Sequence, residues 1–166
     1  MTSKPKKIAF IGVCTALALV LSYIEAIVPP LFAAVPGIKM GLPNIIIVFL
    51  LYRQGPISAA TVSLLRIVLV SLLFGNAMAL MYSLAGGVLS LAIMILLRRL
   101  KILSTVGVSV AGGVAHNVGQ ILMAMLLLET TELGYYMAIL TVTGTISGVL
   151  IGVGGALLVK RIPKII

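Results

Sequence analysis

Residues 77–101 read AMALMYSLAGGVLSLAIMILLRRLK. The first 21 of these, from Ala77 to Leu97, carry no charge, and three of the last four are cations. At 1.5 Å per residue such a helix is about 30 Å long, which matches the hydrocarbon thickness of a bilayer. The stretch therefore reads as a transmembrane helix stopped at the interface by Arg98, Arg99 and Lys101.

The rest of the 166-residue chain has the same character. Hydrophobic residues make up 61% of it and charged residues only 9%, against about 25% charged in a soluble domain. Mean hydropathy is +1.30. A chain of this size cannot hide so much apolar surface from water, so an all-α integral membrane protein of a single domain is expected. A β-barrel is excluded, because its strands alternate polar and apolar residues over about ten positions, and these runs are apolar throughout.

Working outward along the chain, charges, prolines and polar turns fence off further spans at about 8–28, 40–52, 57–74, 105–128 and 133–159, giving six with 77–97. The first follows Lys4, Lys6 and Lys7. It is too long for the 7–15 residues of a secretory h-region and reads as an uncleaved helix. Pro29 and Pro30 end it, since proline cannot continue a helix cleanly. Residues 31–39, with Pro36 and Gly37, read as a loop in the interface or folded back into the protein. The span at 40–52 is short for a bilayer; it thins the membrane locally or begins within that loop. Cys14, the only cysteine, excludes an intrachain disulfide and reads as a packing residue.

Cation placement fixes the orientation. With the amino terminus inside, ten cations lie in inner segments: Lys4, Lys6, Lys7, Arg53, Arg98, Arg99, Lys101, Lys160, Arg161 and Lys164. Outer segments hold Lys39 alone. That bias in short loops sets both termini in the cytoplasm and the number of crossings even. The same scatter argues against a nucleic-acid partner despite the net charge of +9, because no basic stripe beside aromatic residues is formed.

Helices in lipid approach closely through small residues. Gly144, Gly148 and Gly152 recur at four-residue spacing and give the last span a packing face. Glycines at 86, 87, 112, 113 and 119 read likewise as packing within the bundle. Ala9, Gly12 and Ala16 leave a smooth strip on the first span, expected to dock a separate membrane subunit.

Polar groups at membrane depth are costly and face the protein interior or a cavity. Arg66 sits mid-span and reads either as a structural ion pair or as an anion site. His116 and Gln120 share a helix face one turn apart, and Asn117 lies beside them. They read as an interhelical network or as the polar part of a ligand cavity. Glu25, Asn44 and Tyr82 fall toward the outer ends of their helices, so these polar residues gather in the outer half.

Catalytic chemistry is sparse. The chain has no Asp, three acidic residues in all and one His. It contains no Walker A loop, no metal-ligand spacing and no nucleophile–base set. No enzyme activity, cofactor or metal is expected.

Four ordered motifs carry a family resemblance: Pro36-Gly37-Ile38-Lys39-Met40-Gly41-Leu42-Pro43-Asn44; Leu65-Arg66 with Leu73-Phe74-Gly75; Tyr82-Ser83-Leu84-Ala85-Gly86-Gly87; and Ala115-His116-Asn117-Val118-Gly119-Gln120. Together they resemble the Gx transporter family, whose members are often labelled heptaprenyl diphosphate synthase component I. That family is related to the S components of energy-coupling factor (ECF) transporters. The resemblance implies a six-helix bundle with an outward-opening ligand cavity, covered by the loop at 29–39. It also implies docking through small residues of the first helix to a transmembrane coupling subunit driven by two ATPases. The synthase label does not fit catalysis by this chain, because prenyl synthases hold magnesium on aspartate-rich motifs.

The expected function is thus a substrate-binding subunit for a small, anionic or polar-headed molecule, with Arg66, His116, Asn117, Gln120, Asn44, Lys39 and Tyr82 at the site. The alternatives are a non-catalytic membrane partner in isoprenoid or quinone metabolism, or in flavin- or quinone-linked extracellular electron transfer, and a purely structural scaffold subunit.

Overall fold

The computed structural model describes residues 4–27 and 41–163. It is an all-helical bundle with no strand among the described residues. The helices are α1 (Lys4–Ile27), α2 (Asn44–Arg53), α3 (Pro56–Phe74), α4 (Ala77–Leu100), α5 (Thr105–Leu127) and α6 (Met137–Arg161), with a 3₁₀ turn (Glu132–Tyr136) leading into α6. All but α2 form spans long and apolar enough to cross a membrane, five among the described residues.

Local chemistry sets several boundaries. The Asn76 side chain accepts a 2.8 Å hydrogen bond from the Ala79 N–H and caps α4. Ser104 does the same for α5 through Gly107. Pro56 opens α3, where its missing N–H costs nothing. Before it, Gly55 turns the chain at φ +100°, a conformation that a side chain would strain.

The exterior is apolar, and the interior sets small polar side chains beside an apolar core around α2. Ile57, Leu72 and Leu126 are each at least 70% exposed. Buried positions include Ser22, Ser58, Ser63, Ser90, Ser109 and Thr143. This is the distribution of a bundle in lipid, where helix contacts depend on small residues rather than on hydrophobic drive. The Ser22 and Thr15 hydroxyls donate to the carbonyls of Ala18 and Ile11, each at 2.8 Å, so their burial leaves no orphan donor.

The tightest seams join α4, α5 and α6. A Cβ on Gly113 would stand 2.5 Å from the Gly144 carbonyl oxygen, one on Gly148 2.6 Å from Val110 Cα, and one on Gly152 2.8 Å from Val106 Cα. The α6 glycines therefore lie against α5 backbone.

The short second helix departs from the expected membrane crossing. It spans ten residues, about 15 Å at 1.5 Å per residue, and all six positions from Ile46 to Leu51 are buried. Protein surrounds it, so its length need not match the bilayer and no local thinning is required. It packs against α1, α3 and α6.

Three contacts fix the direction of the helices. Arg53, the last residue of α2, donates from Nε at 2.9 Å and also from Nη2 to the Val159 carbonyl near the end of α6. The Arg98 guanidinium, at the end of α4, lies 5.4 Å over the Tyr52 ring. The Tyr23 and Phe74 rings meet at 5.3 Å, so α1 and α3 run parallel. One end of the bundle thus collects Lys4, Lys6, Lys7, Arg53, Arg98, Arg99, Lys101, Lys160 and Arg161. Glu25, Glu129 and Glu132 lie toward the other.

Candidate functional site

α2 fills the cationic half of the bundle, and beyond its amino terminus lies the other half. There the six helices enclose a polar cavity. Arg66 enters from α3, His116, Asn117 and Gln120 from α5, and Asn44 from the first turn of α2. Ser22 and Glu25 of α1, Ser83 of α4 and Ser147 of α6 complete the polar wall. The volume is about 80 Å³, on a measure where one water needs about 10–15 Å³. That is room for a compact polar group or several waters.

Arg66 dominates the electrostatics. Its Nε is buried, and no described residue accepts a hydrogen bond from it. Glu25 and His116 are near enough to act electrostatically on or with this guanidinium. Glu25 also accepts a hydrogen bond from the Gly41 N–H, which joins the end of α1 to the entry of α2.

Two glycines make room for the α5 side chains. A Cβ on Gly86 would lie 2.8 Å from Gln120 Cγ and 3.1 Å from the His116 ring. A Cβ on Gly144 would lie 2.8 Å from Asn117 Nδ2. Asn117 uses that space to donate a 2.7 Å hydrogen bond to the Leu140 carbonyl. It is thus a tie between helices as well as a wall residue.

Of the residues singled out from sequence, Arg66, His116, Asn117, Gln120 and Asn44 line one cavity. Tyr82 is absent from that lining, while its neighbour Ser83 is present, because adjacent residues point about 100° apart on a helix. Lys39 and the loop at 29–39 lie outside the described residues. Ser22, Ser83 and Ser147 were missed. Only Ser83 had a signal, since it stands inside a quoted motif. On α1, Ala9, Gly12 and Ala16 are exposed, and nothing lies within 4 Å of where a Gly12 Cβ would be.

No group of three or more His, Cys, Asp and Glu among the described residues is placed to hold a metal ion. What the wall offers instead is one guanidinium, one carboxylate, an imidazole, amides and hydroxyls, which is equipment for binding and orienting a polar group.

Comparison with curated proteins and with solved structures finds no match. A family model described as heptaprenyl diphosphate synthase component I matches residues 14–158. The match takes in every helix wholly or in large part, and the chain belongs to the heptaprenyl diphosphate synthase component I family.

Proposed function

We propose that this protein is a membrane-embedded solute-binding subunit, built like the S component of an ECF transporter, that captures a small anionic or polar-headed molecule. The observation that carries the reading is Arg66, a guanidinium in the wall of the polar cavity whose buried Nε has no acceptor among the described residues. A cation held at membrane depth is expensive. An oxyanion supplied by a ligand would offset that cost and complete the hydrogen bonding.

In this reading the cationic end faces the cytoplasm, as the positive-inside rule requires, and the cavity faces outward. The exposed Ala9, Gly12 and Ala16 strip then lies in the cytoplasmic half of α1. It would meet a transmembrane coupling subunit served by two ATPases, with close approach allowed by the small side chains.

The family description favours a second reading, a non-catalytic membrane partner of a prenyl diphosphate synthase. The lack of Asp supports an accessory rather than a catalytic part in it. Electron transfer through a flavin or quinone partner belongs to the same class of role.

One experiment separates them. The protein is purified in mild detergent from its native membrane, and co-eluting proteins and small molecules are identified by mass spectrometry. The transport reading expects a coupling subunit, and a small polar molecule that is lost from Arg66→Ala. Recovery of a prenyl-transfer or redox protein, with an identical small-molecule profile from Arg66→Ala, refutes it.

A further inference from the structure

A second concavity lies on the lipid-facing side, at the seam between α3 and α4. Ala60 and Leu64 of α3 face Gly87, Val88, Ala92 and Ile95 of α4 across a groove of about 270 Å³. Its walls are almost wholly apolar. Leu64 and Val88 stand at its sides, 44% and 56% exposed.

The groove has a direction. At the mid-membrane side the helices close together, since a Cβ on Gly87 would lie 2.5 Å from Ile67 Cδ1. From Gly87 to Ile95 it follows α4 for about 12 Å at 1.5 Å per residue. Val88, Ala92, Ile95 and Arg99 fall at i, i+4, i+7 and i+11, one stripe of the helix. The stripe therefore runs from the closed end to an exposed cation. Arg98 is engaged over Tyr52, but Arg99 is exposed. Every described acidic residue lies toward the opposite end of the bundle, so these cations find no acidic side chain nearby among the described residues.

We propose that this groove binds one acyl chain of an anionic phospholipid, from the leaflet at the cationic end, with the phosphate at Arg99. The uninterrupted apolar strip, about 12 Å long, matches a hydrocarbon chain. The direction favours a lipid over a free anion, because the apolar part leads without interruption to the cation. This site is independent of the polar cavity and of the transport reading.

The chain has no tryptophan, so Leu64→Trp creates a single emitter beside the groove. The full-length protein is reconstituted into phosphatidylcholine vesicles containing phosphatidylglycerol, with one lipid or the other brominated in its acyl chains. Quenching at Leu64→Trp should report a preference for phosphatidylglycerol of about fivefold, the worth of one near-surface cation. Adding Arg99→Gln should bring that ratio to about one. Leu150→Trp, on the exposed face of α6, should show no preference. Val88→Trp reads the same groove from α4 and serves if Leu64→Trp does not fold.

Equal quenching by both lipids at both groove positions overturns the proposal, and so does a preference that survives Arg99→Gln. Relief of quenching by farnesyl diphosphate, where excess unlabelled phosphatidylglycerol gives none, also overturns it and assigns the groove to an isoprenoid diphosphate.

Discussion

The Asn117 side-chain amide donates to the Leu140 carbonyl at 2.7 Å while the same residue lines the polar cavity. One side chain thus ties α5 to α6 and presents itself to any ligand. Interhelical hydrogen bonds in lipid are worth about 0.6 kcal/mol on average and up to about 1.7. Asn117→Ala should therefore lower the unfolding free energy in mixed micelles by about 1 kcal/mol. Gln120→Ala, on the same wall, should leave stability within about 0.5 kcal/mol. Equal losses from both would show that the Leu140 bond is not what distinguishes Asn117.

The glycines divide into two kinds, and substitution should separate them. A Cβ on Gly148 meets the Val110 backbone at 2.6 Å, whereas one on Gly12 meets nothing within 4 Å. Backbone cannot rotate away as a side chain can. Gly148→Ala should cost about 1–3 kcal/mol, the usual range for overpacking, read as a lower melting temperature in detergent. Gly12→Leu should melt with the wild type. If α1 is a docking face, Gly12→Leu should still lose its partner in copurification, and retention of the partner would remove α1 from the interface.

How far the sequence disclosed this molecule follows from what lipid makes visible. Uncharged runs such as 77–97 announce helices, because charge is what a bilayer excludes. Arg66, His116, Asn117 and Gln120 stood out for the same reason, and the structure brings them together. The all-round burial of Ile46–Leu51 was not legible. An apolar residue facing lipid reads the same as one facing protein, so nothing told α2 apart from a span except its length. Ser22 and Ser147 were silent too. A serine in a transmembrane helix commonly bonds back to its own helix, as Ser22 does to Ala18, and gives no sign of facing a cavity. The α3–α4 groove depends on how far two helices stand apart, which no single helix encodes.

The Arg53 fork at the cationic end gives a third test. Nε and Nη2 both reach the Val159 carbonyl, near the carboxyl end of α6, where helix carbonyls lack intrahelical partners. Hydrogen bonds from charged donors contribute about 1.5–3 kcal/mol. Arg53→Met should destabilise by about that amount in thermal unfolding. Arg53→Lys should recover part of it, since a single ammonium cannot reproduce the planar fork. Full recovery by Lys would mean that only the charge matters there.

The sharpest prediction concerns Arg66, where structural and ligand-binding roles call for opposite outcomes. If the guanidinium held the bundle together through an ion pair, removing it would strand a buried charge and cost about 3–5 kcal/mol. Glu25 lies near enough to act on the guanidinium, yet Nε has no acceptor among the described residues, so without ligand its hydrogen bonding is incomplete. Replacing a buried pair together by apolar side chains of similar size is commonly neutral or stabilising. Arg66→Met with Glu25→Leu should therefore melt near the wild-type temperature in detergent, once any bound solute has been dialysed away. The same variant should retain none of the small molecule that copurifies with the wild type. Arg66→Lys should keep weak binding through charge alone. A large fall in melting temperature for the double variant would assign the guanidinium to the architecture of the bundle beyond its pairing with Glu25 and leave the cavity without its anchor.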